Sequence, residues 1–415
     1  MKLFFFIFFL FAHIVAIGQD KEVSVTKFGA VGDGKRDDSQ AFQSALDYCG
    51  SRPSIFLRIP SGKYLLTKQL LVRNSITLFG GQRSELISDK KVSHNLFLFY
   101  DRASNVSIRG LIFNSAENNI TPELMRFDGV NNITISECTF LGILPVAFNN
   151  ASNINLLNNK FKSKSANPSG PCNFFTSSHI LISGNTYDGA SGIQFVRHCS
   201  YIRIYNNRFL NLKNYPIHFD GQDIQLHKFV LIKNNEFKGS GDRAYHGGTY
   251  DQISCYRVDK LQIINNKIDL GGDMGITLEE SKNVFVANNN ITRNNMAGIS
   301  IANTKNCIIE NNIIKDNGTR ITSEGIDPKA RSGIYLYGGQ SYSSDSILIK
   351  DNSISFSDTK WKYYPIAVST PPNTKHRLHF FNIDGFLSAD SYMPVVIKKQ
   401  VYDIWKNKLL SKIKF

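Results

Sequence analysis

The sequence predicts an all-β fold, a right-handed parallel β-helix whose N-terminal end is closed by one short helix. Three observations predict it. Short segments ending in Asn-Asn recur along the middle of the chain, with Asn-Asn stretches occurring ten times. Apolar and polar residues alternate inside each segment, which is the period of a strand. Neighbouring copies are mostly 21 to 31 residues apart, a period that belongs to solenoids, and no sustained amphipathic helix lies between them.

The elements follow in chain order. Residues 1–19 begin with one lysine and run apolar from 3 to 17, with His13 the only polar break, before small residues. This is the pattern of a secretory signal peptide cleaved near residue 18, and it implies a secreted or periplasmic protein. No later stretch reaches the ~20 apolar residues of a membrane span. Residues 19–75 are expected to hold the cap and first coils. There Asp38 is placed to cap a helix over 39–49 whose Ala41, Phe42, Ala45, Leu46 and Cys49 share one face. Residues 76–356 hold the coils. The best copies are 153–161, 201–209, 229–237, 260–268, 283–291 and 306–314, with 346–354 a later one and 132–140 a weaker early one. The register aligns Asn159, Asn185, Asn207, Asn235, Asn266, Asn289, Asn312 and Asn352. Asparagine tolerates left-handed backbone and bonds its own main chain, so these side chains are expected to form a structural ladder at ~4.8 Å steps. Residues 357–415 are expected to form a C-terminal coil and cap, ending in a basic helix.

Composition narrows the partner. Lysine and arginine number 48 against 34 acidic residues, a formal net charge of +14. A basic balance favours an acidic partner. The positive charges are scattered, with no block that reads as a nucleic-acid tail, so an acidic polysaccharide and not a nucleic acid is expected. The six cysteines are widely and irregularly spaced, with no CxxC pair, and read as buried hydrophobes.

Residues 25–49 (VTKFGAVGDGKRDDSQAFQSALDYC) and 59–66 (IPSGKYLL) resemble the opening of the pectate-lyase-like β-helix superfamily. That superfamily includes polygalacturonase-type hydrolases, pectate-lyase-like enzymes and phage tailspikes.

Chemistry is expected on the outward rows of the strand that precedes each Asn-bearing strand. Aligning those strands on Met125, Val146, Cys172, Ile193, Ile217, Ile253, Ile276, Ile299 and Ile334 makes the next residue in each point outward. His218, Asp220, Asp251, Tyr256, Asp273 and Glu279 then fall on one face of three consecutive coils. Tyr335 and Tyr337 lie further along, with Arg197, Arg243 and His246 in neighbouring loops. Like charges this close raise carboxyl pKa values, which suits acid/base work or a cation. The segments 248–253 (GTYDQI) and 271–276 (GGDMGI) are similar to the NTDG-like and GDD motifs of polygalacturonase-type hydrolases. The resemblance puts Asp251 on the first motif's aspartate and Asp273 on the general acid, with Met274 in place of the second aspartate of the pair. The family's Gly-His-Gly is replaced by NMAGI (295–299), and no Arg-Ile-Lys motif follows.

The resulting expectation is a secreted, monomeric enzyme that cleaves a uronate-containing polysaccharide without a cofactor. Asp273 would protonate the leaving oxygen and Asp251 would activate water, with His218 beside them. Arg197, Asp220, Arg243, His246, Tyr256, Glu279 and Tyr335 would bind substrate. Two alternatives stand beside it. A polysaccharide lyase would use His218, Tyr256 or an arginine as base, with Ca²⁺ held by the acidic cluster. A non-catalytic glycan-binding surface solenoid would use neither carboxylate.

Overall fold

The computed structural model describes residues 21–411 except 53–54, 82, 90–91, 93–94, 101–102, 116–123, 143–145, 164–171, 190–191, 222–224, 241–249, 319–327, 338–343, 358–362, 370–376, 382–386, 389–394 and 397–405. The expected signal peptide therefore lies outside the described residues. The described strands form three parallel sheets of 15, 13 and 13 strands, and each strand pairs with its counterpart one coil away. One coil runs Ile253–Tyr256, Val258–Ile264 and Lys267–Asp269, contributing one strand to each sheet, then returns as Ile276–Glu279. We call these the site sheet, the long sheet and the short sheet. Among the described residues no helix is long and apolar enough to cross a membrane.

Inward residues stack in columns because every coil repeats the same register. On the site sheet, Phe99, Phe127, Phe148, Phe174, Phe195 and Phe219 stack with ring centroids 4.3–5.0 Å apart. On the short sheet, Phe113, Phe140, Phe161, Tyr187, Phe209 and Phe237 do the same at 4.6–5.2 Å. Both aromatic columns then give way to aliphatic side chains, Cys255, Leu278 and Ile301 on one sheet and Ile268 and Ile291 on the other.

The asparagine ladder runs unbroken from Asn159 to Asn352. Each backbone N–H donates to the next Oδ1 at 2.8–3.0 Å. Each Nδ2 donates to that same oxygen and to a main-chain carbonyl, as Asn266 does to Asn289 and Ile232. Cys138 stands at the head of the column, its N–H donating to Asn159 Oδ1. The structure divides between two residues what the sequence reading assigned to one. The left-handed turn belongs to the first asparagine of each pair, Asn158, Asn206, Asn234, Asn265, Asn288 and Asn311, at φ of 55–56°. The second, buried asparagine carries the ladder, because only a side chain turned inward meets the next coil's amide.

One terminal expectation changes. The helix spans Ser39–Gly50 and buries Ala41, Phe42, Ala45, Leu46 and Cys49, packing on the strands Ile55–Ile59, Leu70–Val72 and Ile76–Gly80. Asp38 does not cap it with its side chain. The Asp38 carboxylate accepts the N–H groups of Val31 (2.7 Å) and Gly32 (3.1 Å), and Asp37 Oδ1 takes the Ser39 N–H instead. Near the C-terminus, residues 406–411 are helical. They lie on the outer flank of the long sheet. Leu409 is buried against Phe285, Ala287, Ile308 and Leu348, and Lys406 pairs with the buried Glu310. That flank carries outward apolar residues, which need a cover.

The two asparagines of a pair should respond differently to substitution. Asn266→Leu leaves the Asn235 N–H and several amide partners unpaired and should cost roughly 3–5 kcal/mol in urea unfolding. Asn265→Gly should be near neutral, whereas Asn265→Val should cost about 1–2 kcal/mol for its left-handed backbone. Equal effects of Leu at 266 and Val at 265 would contradict the division of labour.

Candidate active site

The site sheet's register places the candidate groups. Ile217, Ile253, Ile276 and Ile299 pair in sequence, so residues a fixed offset before them stack on successive coils. Tyr215, Asp251 and Met274 lie two before, and Tyr250, Asp273 and Met296 three before. Asp273 sits on the turn Gly271–Gly272–Asp273, whose main chain is held tightly. Asn294 Oδ1 accepts the Gly271 N–H, Asn295 Nδ2 donates to the Gly272 carbonyl, and the Met296 N–H donates to the Asp273 carbonyl. A β-carbon at Gly271 would lie 2.5 Å from Asn294 Oδ1, and one at Gly275 would lie 2.6 Å from the Gly298 carbonyl oxygen. Only glycine lets the coils approach closely enough there to present Asp273 beside Asp251.

Asp251 Oδ1 accepts the Met274 N–H at 3.2 Å. Burial and then the charge of Asp273 push the Asp251 carboxyl from the ordinary 3.8 up to about 8, against the Thr277 hydroxyl and the Met274 N–H, which pull it down. The loss of hydration disfavours the charged form, and a second carboxylate nearby adds to it. At neutral pH this site therefore keeps a proton. Tyr215 is pushed up to about 12, by burial and then by Asp251 and Asp273. Tyr337 is raised as well, by burial and then by Glu279 and Asp251. Glu279 is raised by burial and by Glu280. Asp251, Asp273, Glu279, Tyr215 and Tyr337 thus share one electrostatic neighbourhood.

His218 joins that neighbourhood through Tyr215, whose ring stacks on the imidazole at 4.5 Å and 19°. Burial lowers the His218 pKa, and Asp220 opposes the shift, so the imidazole is neutral at neutral pH. Behind it His227 is fully buried. It accepts the Cys199 N–H at Nδ1 and pairs through Nε2 with the Asp220 carbonyl, which assigns the proton to Nε2.

Other expected residues are placed differently. Tyr256 is partly exposed, with its hydroxyl and one ring face engaged. Its hydroxyl donates to Glu280 (2.9 Å), Arg257 lies 5.2 Å over its ring, and Arg257 also binds Glu280. The left-handed corners at Arg257 and Glu280 turn both side chains back toward Tyr256. Tyr335 points outward yet is only 8% exposed, because Ala297, Ala330 and Ala367 pack around it. Arg197 occupies a left-handed corner at φ 62° and is exposed at the rim. Arg243 and His246 lie outside the described residues.

Among the described residues no three His, Cys, Asp or Glu side chains are grouped to hold a metal ion. The sequence reading missed the short amide ladder behind the site, in which Asn294 donates to Asn317. The signal was present: the Asn-Asn at 294–295 is out of step with the coil register.

Comparison with known proteins adds family and fold. Residues 22–195 match the family described as Rhamnogalacturonase A/epimerase, pectate lyase-like. Residues 191–369 match the right handed beta helix region. Polygalacturonase-2 of Solanum lycopersicum is 26% identical over 200 residues, which are 44% of this chain and 41% of that protein, so the match spans less than half of the relative. DFA-IIIase of Arthrobacter chlorophenolicus A6 superposes with a TM-score of 0.58 at 14% identity, covering 87% of this chain and 94% of that one. The A-module of the mannuronan C-5 epimerase AlgE4 of Azotobacter vinelandii gives 0.52 at 14% identity, covering 90% and 99%. The Streptococcus pneumoniae surface adhesin PfbA gives 0.51 at 17%, covering 89% and 92%. At these identities the structural likenesses speak to fold.

The raised Asp251 carboxyl has a thermodynamic signature. Its folded-state value lies above its unfolded one, so the folded protein binds the extra proton and loses stability as pH climbs from about 4 to about 8. Asp251→Asn keeps an acceptor for the Met274 N–H and removes the ionisation. Thermal melts from pH 5 to 8 should show the variant gaining on the parent as pH rises. A gap that does not change with pH would contradict the shift.

Proposed function

We propose that this chain, whose residues 22–195 match a pectate-lyase-like family and 191–369 the right handed beta helix region, is a secreted carbohydrate-active enzyme that cleaves an acidic polysaccharide by paired-carboxylate hydrolysis. The observation that carries the proposal is the Asp251–Asp273 pair on adjacent coils, where burial and mutual repulsion favour keeping one proton on the pair. The pair holds one proton between its two carboxyls. One carboxyl passes that proton to the glycosidic oxygen as the bond to the sugar's anomeric carbon breaks, and the other takes a proton from the water whose oxygen forms the new bond. The pair ends with its single proton moved from one carboxyl to the other, and exchange with solvent restores it. Tyr215 and Tyr337 stand protonated on either side as donors to substrate oxygens. The +14 balance and the exposed Arg197 favour an anionic chain, as does the resemblance to polygalacturonase-type hydrolases.

A second reading rests on His218. Its imidazole is neutral and stacked on Tyr215, and a neutral imidazole can remove the proton next to a uronate carboxyl and set off β-elimination. The two reactions leave different products: elimination forms an unsaturated uronate end that absorbs in the ultraviolet, whereas hydrolysis forms reducing ends without that absorbance.

Incubation with polygalacturonate and alginate should release reducing ends without new ultraviolet absorbance, and EDTA should not change the rate. General acid or base catalysis is typically worth 10²–10⁴-fold, so Asp251→Asn and Asp273→Asn should each lower kcat by about that factor. His218→Ala should lose less. Absorbance that grows with the reducing ends, together with near-complete loss in His218→Ala, would replace hydrolysis by elimination. Near-parental turnover in both aspartate variants would end the assignment of the site.

A further inference from the structure

The site sheet's outer face is not equally open at its two ends. One residue past each first inward position, Asn173, Gln194 and His218 are partly exposed on the N-terminal side, with the small Ala147 buried before them. From the carboxylate pair onward the same column closes: Ser254 is 7% exposed, Thr277 9%, Ser300 0%, Tyr335 8% and Ala367 0%. An outward tyrosine on a solenoid normally lies in solvent, so a covered one means that something stands over the groove floor.

What stands there is apolar. Ala297, Ala330, Tyr335 and Ala367 form a cluster outside the main core, with Met274, Met296, Tyr337 and Tyr364 packed against it. The 3-10 turn Pro328–Ala330 brings in Ala330, and Tyr335 stacks on Tyr337 at 5.4 Å and 21°. Met274 joins this cluster to the reacting groups, since it follows Asp273 in the chain and donates its N–H to Asp251. Tyr335 lies two coils beyond the Ile276 coil, by way of Ile299. At the ~4.8 Å strand spacing that is roughly 10 Å, room for about one or two sugar units.

We infer that this wall makes the protein an end-trimming enzyme. The glycan enters along the N-terminal coils, past Asn173, Gln194 and His218. Its terminal unit stops against Met296, Tyr335 and Tyr337, and the bond next to the carboxylate pair is cut close to the chain end. The C–H face of a sugar ring packs well on an aromatic and thioether surface, so the wall serves as a seat for the terminal unit as well as a stop. This inference rests on the glycan-cleaving reading above.

The test is the size of the first products. Unlabelled polygalacturonate and alginate chains would be digested, with all products sized by anion-exchange chromatography and viscosity followed. Short products of one length should accumulate from the first minutes, while viscosity stays near its starting value. Tyr337→Ala, and separately the milder Met296→Ala, should lengthen the products, with far-UV circular dichroism confirming the fold. A broad early ladder of mid-sized fragments with collapsing viscosity would overturn the inference and leave the hydrolase reading standing. Unchanged product lengths in both folded variants would also overturn it. No cleavage of either polymer by the parent protein would remove the proposed reaction and this inference together.

Discussion

A buried asparagine that hands its amide to the next coil holds this solenoid at strand spacing, and the rest of the molecule inherits that spacing. The ladder satisfies main-chain donors and acceptors at a corner that no sheet hydrogen bond reaches, from Asn159 to Asn352. With the coils locked in register, an outward residue cannot move away from its neighbour one coil on. Asp251 and Asp273 are close because Ile253 and Ile276 are paired. The repulsion between the carboxylates is therefore imposed by the scaffold, and it is expressed as a retained proton rather than as a separation.

In a solenoid each coil is supported by its neighbours, so a costly coil depends on the ones beside it. The aromatic columns end at Phe219 and Phe237, at the coil just before the one that carries Asp251. From there the packing is aliphatic and an additional amide ladder, Asn294 to Asn317, takes up the turn behind Asp273. Gly271 and Gly275 allow the close approach that this turn needs. Polar clamping of the main chain thus increases where aromatic packing stops. The same region carries the apolar cluster around Tyr335.

Much of this was legible in the sequence. Strand alternation and the Asn-Asn spacing specify the coil register, and the inward series from Met125 to Ile334 is observed in the pairing. Which asparagine of each pair turns and which one ladders was not legible, because both roles suit the same residue type and only the inward direction separates them. Asp38 stands at the position of a cap, but its carboxylate is drawn to two N–H groups of the preceding loop. At the site, the positions of Asp251 and Asp273 followed from the register, whereas their protonation did not, since burial depends on loops and neighbours that periodicity does not describe. Tyr256 and Tyr335 show the same limit. Both point outward as expected, and both are taken up by partners, Glu280 and Arg257 for one and the alanine cluster for the other.

The central claim is that the scaffold forces two carboxyl groups to share a proton at neutral pH. Carbon-13 NMR of aspartate carboxyls, titrated from pH 3 to 9 in the parent and in Asp251→Asn, reads this directly. The account predicts one carboxyl resonance that titrates near pH 8 in the parent and is absent from the variant. Carboxyls that all titrate near 4 in the parent, with an unchanged pattern in the variant, would contradict it.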